Sequence, residues 1–459
     1  MTEHKTYKSF LESKMRQVPC CGFSVDRSEL KENLFDWQKD IVCWALRKGK
    51  AALFENCGLG KTIQQLEFCR LVSVHTGKPT LIIAPLAVSQ QTKNEGASFG
   101  YDVNVCRSQD DVVEGINITN YEMLEHFDLS AFSGIALDES SILKHYSSKI
   151  RTQIINACKD VPYKLSCTAT PAPNDYMELG NQSEFIGVMT RSEMLATFFV
   201  HDGGETSKWR LKRHAESDFW KWLSGWAVVL TTPADLGYPS TGYDLPSLNI
   251  KYVTVPSDLP IASTLSERRT ARKTSLDDRC LTAANIVAQQ PDEQWLLWCD
   301  LNDEADKLTQ LVADAQEVRG SDKPQVKTER LNAFTDGTLS KLVTKPSIAG
   351  FGLNWQKCHN MIFVGLSDSY EMMYQAIRRC WRFGQTQEVN VYIVISEAEG
   401  NIRDNIERKE QQCINMGAEM VKHTKDILSK DIRSTVRFTE EYKPILTMII
   451  PDWIRSETA

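Results

Sequence analysis

The feature that most constrains this chain is a short glycine-containing loop between a strand-like and a helix-like segment. Its members are Cys57, Gly58, Leu59, Gly60, Lys61 and Thr62. Apolar residues 51–54 precede the loop, and the helix-like run 63–68 follows it. Glycines let a backbone curl so that its N–H groups point at phosphate oxygens. The arrangement predicts a phosphate-binding loop, in which Lys61 reaches the β- and γ-phosphates of a nucleotide and the Thr62 hydroxyl binds Mg²⁺.

The match to the eight-residue phosphate-loop pattern, G-x-x-x-x-G-K-[ST], is incomplete. That pattern places a glycine at position 55, where this chain has Glu55. Taken alone, the segment has an alternative interpretation as a plain glycine turn before a helix. The choice between the two depends on what the rest of the chain supplies.

Composition sets the class of protein. The chain has 459 residues, 42% hydrophobic and 25% charged, as expected for a globular chain of about two to four domains. Its net charge of −7 excludes an overall basic surface, so nucleic acid would have to bind in a local groove. The 13 cysteines form no C-x-x-C pair, which favours reduced thiols in the cytoplasm over zinc ligands. No apolar run approaches the length of a membrane helix, and no apolar signal region follows the first residues.

Apolar strand-like runs alternate with helix-like runs in two stretches of the chain. Uninterrupted apolar strands between helices predict an α/β fold whose parallel sheets are covered on both faces. A proline-containing stretch separates the two alternations. The expected divisions are an N-terminal extension 1–30, a first unit 31–235 with a Trp-rich helical insertion near 190–230, a linker 236–275, a second unit 276–415 and a C-terminal tail 416–459.

Two adjacent acids follow a buried strand-like run. Asp138 and Glu139 come directly after apolar residues 135–137. An acid at the end of a buried strand near a phosphate loop suits Mg²⁺, and a second acid suits the orientation and deprotonation of an attacking water. An acidic helix N-terminus, favoured by the helix dipole, is the alternative.

An aromatic and glutamine segment precedes the loop by about twenty residues. Gln38 carries an amide that can pair with the donor and acceptor edges of adenine. Phe35 or Trp37 could stack on such a base. A buried aromatic pair beside a surface glutamine is the alternative. The turn 168–171, T-A-T-P, follows the next strand and would sense the acids, although alone it is only a turn.

The second half of the chain contains a short arginine-rich helix. Arg379 and Arg382 are three residues apart and therefore share a helical face. Buried arginines are costly unless they meet an anion, so this pair suits stabilisation of charge on a γ-phosphoryl group. A solvated basic helix is the alternative. The glycine-containing loop 350–354 precedes this helix.

The order of these segments resembles the motif set of superfamily-two helicases, and specifically that of the Swi/Snf-type DNA translocases. Residues 138–149, DESSILKHYSSK, resemble the family's D-E-x-x-x-x-K-N-x-x-S-K, with His145 in place of the asparagine. Residues 118–124, ITNYEML, resemble T-x-Y-E-x-L, and residues 166–174, SCTATPAPN, resemble T-G-T-P-x-x-N. Residues 375–385, QAIRRCWRFGQ, match Q-A-x-x-R-x-x-R-x-G-Q at every fixed position. The resemblance spans about residues 31–415.

The resemblance implies a fold and a nucleotide site. The fold is two tandem RecA-like lobes, each a mostly parallel sheet flanked by helices, with ATP and Mg²⁺ as cofactors. Lobe one would bring Gln38, the loop 57–62, Asp138 and Glu139. Lobe two would bring Arg379 and Arg382, and Gly352 would add backbone contacts.

The resemblance also implies an activity and partners. The expected function is ATP-dependent movement along duplex DNA. The alternatives are a strand-separating DNA or RNA helicase and an ATP-dependent recruitment switch with little motor activity. Duplex DNA is the expected partner, with single-stranded nucleic acid as the alternative, together with replication or recombination proteins, no membrane, and a monomeric chain. Candidate phosphate contacts are Pro85, Ser89, Gln90, Tyr121, Lys144, Lys149, Arg319, Lys345, Gly350 and Gly352.

Two departures refine the resemblance. Ser140 and Ser141 follow the acids, so the chain is not a DEAD-box protein. The insertions between motifs are short and no targeting module is evident, as in compact members from bacteriophages and prophages. That likeness predicts the cytoplasm of a bacterial host.

Overall fold

The computed structural model describes residues 21–435, apart from 87, 145–147, 203–204, 244, 350–352 and 368. Two parallel sheets dominate this part of the chain. We call the part built on the first sheet lobe one and the part built on the second sheet lobe two. The strands of lobe one are β1 (Lys50–Glu55), β2 (Thr80–Ala84), β3 (Val103–Val105), β4 (Ile116–Asn120), β5 (Gly134–Asp138), β6 (Tyr163–Thr168), β7 (Phe199–Asp202), β8 (Glu205–Leu211) and β9 (Ala227–Leu230). The strands of lobe two are β10 (Leu248–Val255), β11 (Trp295–Cys299), β12 (Ala315–Glu317), β13 (Lys341–Thr344), β14 (Asn360–Val364) and β15 (Val389–Ser396).

Helices connect the strands of both sheets and cover their faces. Those of lobe one are α1 (Asp36–Lys48), α2 (Lys61–Thr76), α3 (Ser89–Ser98), α4 (Lys149–Ala157), α5 (Leu179–Ile186), α6 (Arg191–Phe198) and α7 (Glu216–Ser224). Those of lobe two are α8 (Leu265–Thr274), α9 (Leu276–Ala288), α10 (Asn302–Leu311), α11 (Pro324–Asp336), α12 (Pro346–Ala349) and α13 (Tyr370–Ile377). The last described helix is α14 (Gly400–Thr435). Among the described helices, none is long and apolar enough to cross a membrane.

The strand order of lobe one brings the predicted motifs to one edge of the sheet. The order is β3-β4-β2-β5-β6-β1-β9, and every pairing in it is parallel. In parallel sheets the carboxyl ends of the strands meet at the same edge, where ligands bind. Phe54 of β1 pairs with Thr168 of β6, and Asp138 of β5 pairs with Cys167. The glycine loop, the acidic pair and the T-A-T-P turn therefore meet at this edge.

Lobe two is a second parallel sheet with the order β10-β15-β14-β11-β13-β12. Its edge strand β10 pairs with β15 along its whole length, from Leu248 with Val389 to Val255 with Ser396. This strand lies inside the segment 236–275 that was expected to link the units. The connection between the two sheets is therefore shorter than expected.

The sequence predicted a helical Trp-rich insertion near residues 190–230, but the structure shows two strands as well as helices in this segment. Strands β7 and β8 form an antiparallel pair that contains Trp209. Trp220, Trp222 and Trp226 are buried in the hydrophobic core of lobe one. Aromatic packing in that core, including the edge-on contact of Trp222 with Trp226 at 5.3 Å between ring centroids, accounts for these side chains.

The long helix α14 joins the two lobes a second time. Its first turns pack in the core of lobe two through Ile402 and Ile406. Further along, Met416 and Met420 enter the core of lobe one. Near its end, Asp431 accepts hydrogen bonds from Trp44 at 2.8 Å and from Arg47 at 2.8 Å. The helix has 36 residues and is therefore about 54 Å long at 1.5 Å per residue.

A fully buried ion pair lies within lobe two, and the loss of one of its partners should strongly destabilise the fold. Arg279 Nη1 lies 2.7 Å from Glu304 Oε1, and both side chains are 0% exposed. Replacing Glu304 with glutamine leaves the Arg279 charge buried without a counter-charge. We expect the free energy of unfolding to fall by about 3–5 kcal/mol, as measured by urea denaturation. The matched control is Asp277→Asn, which breaks the exposed pair with Lys307 between the same helices α9 and α10 and should change stability far less. Equal effects of the two substitutions would contradict this assignment.

Candidate nucleotide site between the two lobes

The glycine loop folds into a tight curl that only glycine permits at two positions. Gly58 has φ +90° and Gly60 has φ +74°, both in the left-handed region. A Cβ atom on Gly60 would lie 2.4 Å from Gln38 Nε2. A Cβ atom on Gly58 would lie 3.3 Å from the backbone nitrogen of Phe383 in lobe two. The loop is thus held closely between α1 on one side and lobe two on the other.

Gln38 reaches the loop from the first turn of α1. Its Nε2 donates to the carbonyl of Leu59 at 3.0 Å, and its Oε1 accepts from the backbone N–H of Phe35 at 3.0 Å. Adenine recognition by this amide stays a prediction, because both ends of the amide bond the chain itself. Trp37 is 3% exposed, whereas Phe35 is 51% exposed, so Phe35 has the ring available to stack on a base. Tyr243 packs edge-on against Phe35 with ring centroids 6.3 Å apart.

Lys61 and Thr62 open helix α2 directly after the curl. Lys61 Nζ donates to the carbonyls of Glu55 at 2.7 Å and Asn56 at 3.1 Å. These bonds draw the ammonium into the mouth of the loop. The helix N-terminus adds its partial positive charge there, so the loop is suited to hold an anion.

Glu55, which stands where the phosphate-loop pattern has a glycine, is fully buried. Its Oε2 accepts from Gln64 Nε2 at 2.8 Å, which ties the end of β1 to helix α2. Burial raises the pKa of Glu55 to about 7, and the positive charge of Lys61 opposes that rise. The departure from the pattern is therefore accommodated by a packed side chain and leaves the curl of the loop intact.

The acidic pair lies at the end of β5, within the electrostatic reach of Lys61. Asp138 Oδ1 accepts from Gln65 Nε2 of α2 at 2.8 Å, and its backbone carbonyl accepts from the Tyr121 hydroxyl at 2.6 Å. Burial raises the pKa of Asp138. Burial and the neighbouring Asp138 charge raise the pKa of Glu139 to about 7, whereas Lys61 and then Arg379 act in the opposite direction.

Glu139 has the features of a residue held in place for chemistry. Its φ is +52°, which is uncommon for a residue with a side chain. Within the described part of the chain, its Oε2 is buried and has no hydrogen-bond partner. A buried acceptor without a partner costs free energy unless a ligand or water meets it. These features fit a carboxylate that receives a proton from a bound water.

The three arginines lie after the last residue of α13, Ile377, and not on the short helix that the sequence predicted for them. Arg379 donates to the carbonyl of Gln375 at 2.9 Å, and Arg382 donates to that of Leu353 at 3.2 Å. Arg378 instead donates to the loop carbonyl of Cys57. The sequence reasoning missed Arg378. The signal that could have found it is the aromatic pair at Tyr374 and Trp381, whose rings lie 5.8 and 5.0 Å from its guanidinium carbon.

Arg379 and Arg382 nonetheless lie close to acids of lobe one. The charge of Arg379 acts to lower the pKa of Glu139, and that of Arg382 acts to lower the pKa of Glu95 on α3, although burial raises both pKa values. Burial lowers the pKa of Arg382 to about 10. Their positions remain compatible with the predicted role of charge stabilisation.

Two of the residues predicted to contact DNA phosphate form ion pairs within the protein instead. Arg319 pairs with Asp306 and Glu317, and Lys144 pairs with Glu371 of lobe two. Tyr121, a further candidate, donates its hydroxyl to the carbonyl of Asp138. Its contact with DNA stays a prediction, as do those of the other candidates among the described residues, which are Pro85, Ser89, Gln90, Lys149 and Lys345. The backbone sites proposed at Gly350 and Gly352, and His145, lie outside the described residues.

Two family models match the chain, one in each lobe. The SNF2-related domain matches residues 37–198, and the helicase conserved C-terminal domain matches residues 278–384. Together they cover more than half of the chain and all the motif residues described above except Phe35 and Gln385. The chain belongs to the Swi/Snf-type branch of the superfamily-two helicase-like ATPases. Each matched region contains strands of one of the two parallel sheets, so the α/β fold of two tandem lobes that the sequence predicted is confirmed.

Two relatives match part of the chain, and one solved structure aligns with most of it. The chain is 27% identical over 177 residues to the Xenopus tropicalis SWI/SNF-related matrix-associated actin-dependent regulator of chromatin subfamily A-like protein 1, a match of 36% of this chain and 19% of the relative. It is 39% identical over 72 residues to the ATP-dependent helicase rhp16 of Schizosaccharomyces pombe, a match of 15% of this chain and 8% of the relative. A solved structure, the Sulfolobus solfataricus SWI2/SNF2 ATPase core in complex with dsDNA, aligns with a TM-score of 0.42 and 18% identity, covering 93% of this chain and 100% of that one.

Proposed function

We propose that this protein is a DNA-stimulated ATPase that moves along duplex DNA by opening and closing its two lobes. The observation that supports this most directly is the joint site. Arg378 of lobe two donates to the carbonyl of Cys57 in the glycine loop of lobe one, and the neighbouring Arg379 charge acts to lower the pKa of Glu139. Neither lobe alone carries both sets of groups, so hydrolysis depends on closure.

The residues present fit a magnesium nucleotide. The curl of Gly58 and Gly60 presents backbone N–H groups, and the Lys61 ammonium can exchange its two carbonyl partners for phosphate oxygens. The Thr62 hydroxyl and the Asp138 carboxylate provide the oxygen ligands that Mg²⁺ prefers. ATP, when bound, supplies the phosphoanhydride bond whose cleavage drives movement.

Each side chain then has a distinct task. Glu139 Oε2 orients a water and accepts its proton, because this atom is buried and has no hydrogen-bond partner in the described chain. Arg379 and Arg382 stabilise the negative charge that develops on the transferred phosphoryl group. The exposed ring of Phe35 stacks on the base, and Gln38 binds its edge by exchanging its bonds to Leu59 and Phe35 for bonds to the base.

Movement along DNA follows from alternating grips on phosphate. Contacts with phosphate carry no sequence information, so we expect little sequence preference. Strand separation is the second candidate function, since one of the similar proteins is named an ATP-dependent helicase. A monomeric chain, replication or recombination partners, and a phage or prophage source in a bacterial host stay predictions.

The test compares nucleic acids as activators and as tracks. We expect duplex DNA to stimulate ATP hydrolysis at least as well as single-stranded DNA. We also expect ATP-dependent displacement of a triplex strand without unwinding of a blunt duplex. With about four to six phosphate contacts, the log–log dependence of duplex affinity on salt should have a slope of about −4 to −5. Fork unwinding without triplex displacement would favour the helicase, and stimulation by RNA alone would exclude DNA translocation.

A further inference from the structure

One face of helix α13 in lobe two contacts three separate segments of the nucleotide site in lobe one. Glu371, Tyr374 and Arg378 follow at intervals of three and four residues, so they lie on the same side of the helix and its last turn. Tyr374 donates from its hydroxyl to Asn56 Oδ1 at 3.0 Å. Arg378 donates to the carbonyl of Cys57. These two residues contact the first half of the glycine loop.

Glu371, one turn earlier, reaches the other two segments. Its Oε1 accepts from the Thr170 hydroxyl at 3.0 Å, and its Oε2 pairs with the Lys144 ammonium. The Glu371 side chain is 8% exposed and that of Lys144 is 22% exposed, so solvent screens this pair only weakly. One carboxylate therefore joins the segment after the acidic pair to the T-A-T-P turn.

Both lobe-one partners are firmly attached to the acidic edge of the sheet. Lys144 ends the short 3₁₀ helix Ser140–Lys144, which directly follows Glu139. Asn181 Nδ2 fixes this segment by donating to the carbonyls of Leu143 at 2.9 Å and Lys144 at 3.0 Å. The backbone N–H of Thr170 donates to the Thr168 hydroxyl at 3.1 Å, at the end of β6 beside β5. A displacement of Glu371 would therefore be transmitted towards Glu139 through two short, hydrogen-bonded paths.

We propose that Glu371 is a positioning residue that couples the orientation of lobe two to the placement of Glu139. Its carboxylate is shared between Lys144 and Thr170, so lobe two aligns the acidic segment when the lobes are in contact. The inference rests on the proposed ATPase function for its kinetic readout. It also assigns Lys144 to the lobe interface, whereas the sequence had suggested a contact with DNA phosphate.

A charge-reversal cycle tests the proposal. Lys144→Glu and Glu371→Lys each place two like charges in the interface, and each should lower the DNA-stimulated kcat at saturating DNA by about 10-fold or more. The KM for ATP should change little, because neither side chain contacts the loop. The double variant restores an opposite-charge pair and should recover to within about 3-fold of wild type. Glu388→Lys, which reverses an exposed acid on the same lobe, is the matched control.

A conservative variant, Glu371→Gln, and a measurement of folding complete the test. Glu371→Gln retains an acceptor for Thr170 but loses the charge, so its kcat should lie between those of wild type and Glu371→Lys. A melting temperature for each variant shows that it is folded. A Glu371→Lys variant with the kcat of wild type, or a double variant no faster than the slower single one, would overturn the proposal.

Hydrogen exchange separates this proposal from the proposed function. In Glu371→Ala, amides of residues 140–144 and 168–170 should exchange faster than in wild type, whether or not the protein hydrolyses ATP. Unchanged exchange would refute the coupling by Glu371. Faster exchange in a protein that no nucleic acid activates would leave the contact standing and refute only the proposed DNA-stimulated activity.

Discussion

Alanine at Arg379 or at Arg382 is expected to slow ATP hydrolysis by about 10³-fold or more, the effect typical of losing an arginine that stabilises a phosphoryl transition state. Both guanidiniums belong to lobe two, whereas the glycine loop belongs to lobe one. Binding of a fluorescent ATP analogue should therefore remain roughly intact, and so should DNA binding without nucleotide. The measurement is DNA-stimulated turnover beside analogue affinity.

Substitutions at two further arginines provide a comparison and a control for that experiment. Arg378→Ala removes the contact with the carbonyl of Cys57, so it should weaken analogue binding as well as turnover. Arg408→Ala, at an exposed position on α14, is the control and should change neither. Near-normal turnover in both Arg379→Ala and Arg382→Ala would mean that these side chains serve the interface only, and the two-lobe mechanism would be wrong.

The second large effect separates two residues of lobe one. Glu139→Gln should reduce turnover by about 10²-fold or more, the contribution typical of a positioned base, while ATP still binds. Lys61→Ala removes a charge-assisted contact with phosphate, so binding and turnover should both weaken. Isothermal titration with a non-hydrolysable analogue and steady-state kinetics measure the two quantities separately. Unchanged affinity with normal hydrolysis in Lys61→Ala would remove the phosphate-loop assignment.

The pH dependence provides a check on Glu139 that needs no further variant. Burial and Asp138 raise the pKa of Glu139 to about 7, and a base acts only when deprotonated. The wild-type rate should therefore rise with pH up to about 7 and level off above it. In Glu139→Gln the residual rate should lack this rise. An identical acidic limb in both proteins would mean that another group titrates.

Much of the architecture is predictable because buried parallel strands are continuous apolar runs. Strands β2, β5 and β14 are runs of this kind, with almost every residue buried. Strand β10 is different. It is an edge strand, only partly buried along most of its length, and it lies between Pro246 and Pro256, so its sequence is typical of a linker.

The sequence predicts the residues of the nucleotide site in lobe one, but it does not predict the contacts between the lobes. The glycine loop, Asp138 and Glu139 are identified by local spacing, because the strand that precedes each one fixes its position. Glu371 and Arg378 are not, since their partners are 201 to 321 residues away in sequence. Only the packing of α13 against lobe one shows which face of that helix is turned towards the loop. Their importance arises from tertiary structure alone.

Helix α14 provides the second of two connections between the lobes. The first connection is the chain between β9 and β10. The second is helix α14, whose start packs in lobe two and whose Asp431, near the other end, accepts hydrogen bonds from Trp44 and Arg47 of lobe one. Two lobes joined at two separate points cannot rotate independently, because the two connections restrict their relative motion to rotation about the line through both points. Any wider separation would have to bend a rod of ten turns or pull its apolar residues out of a core, and both carry an energetic penalty.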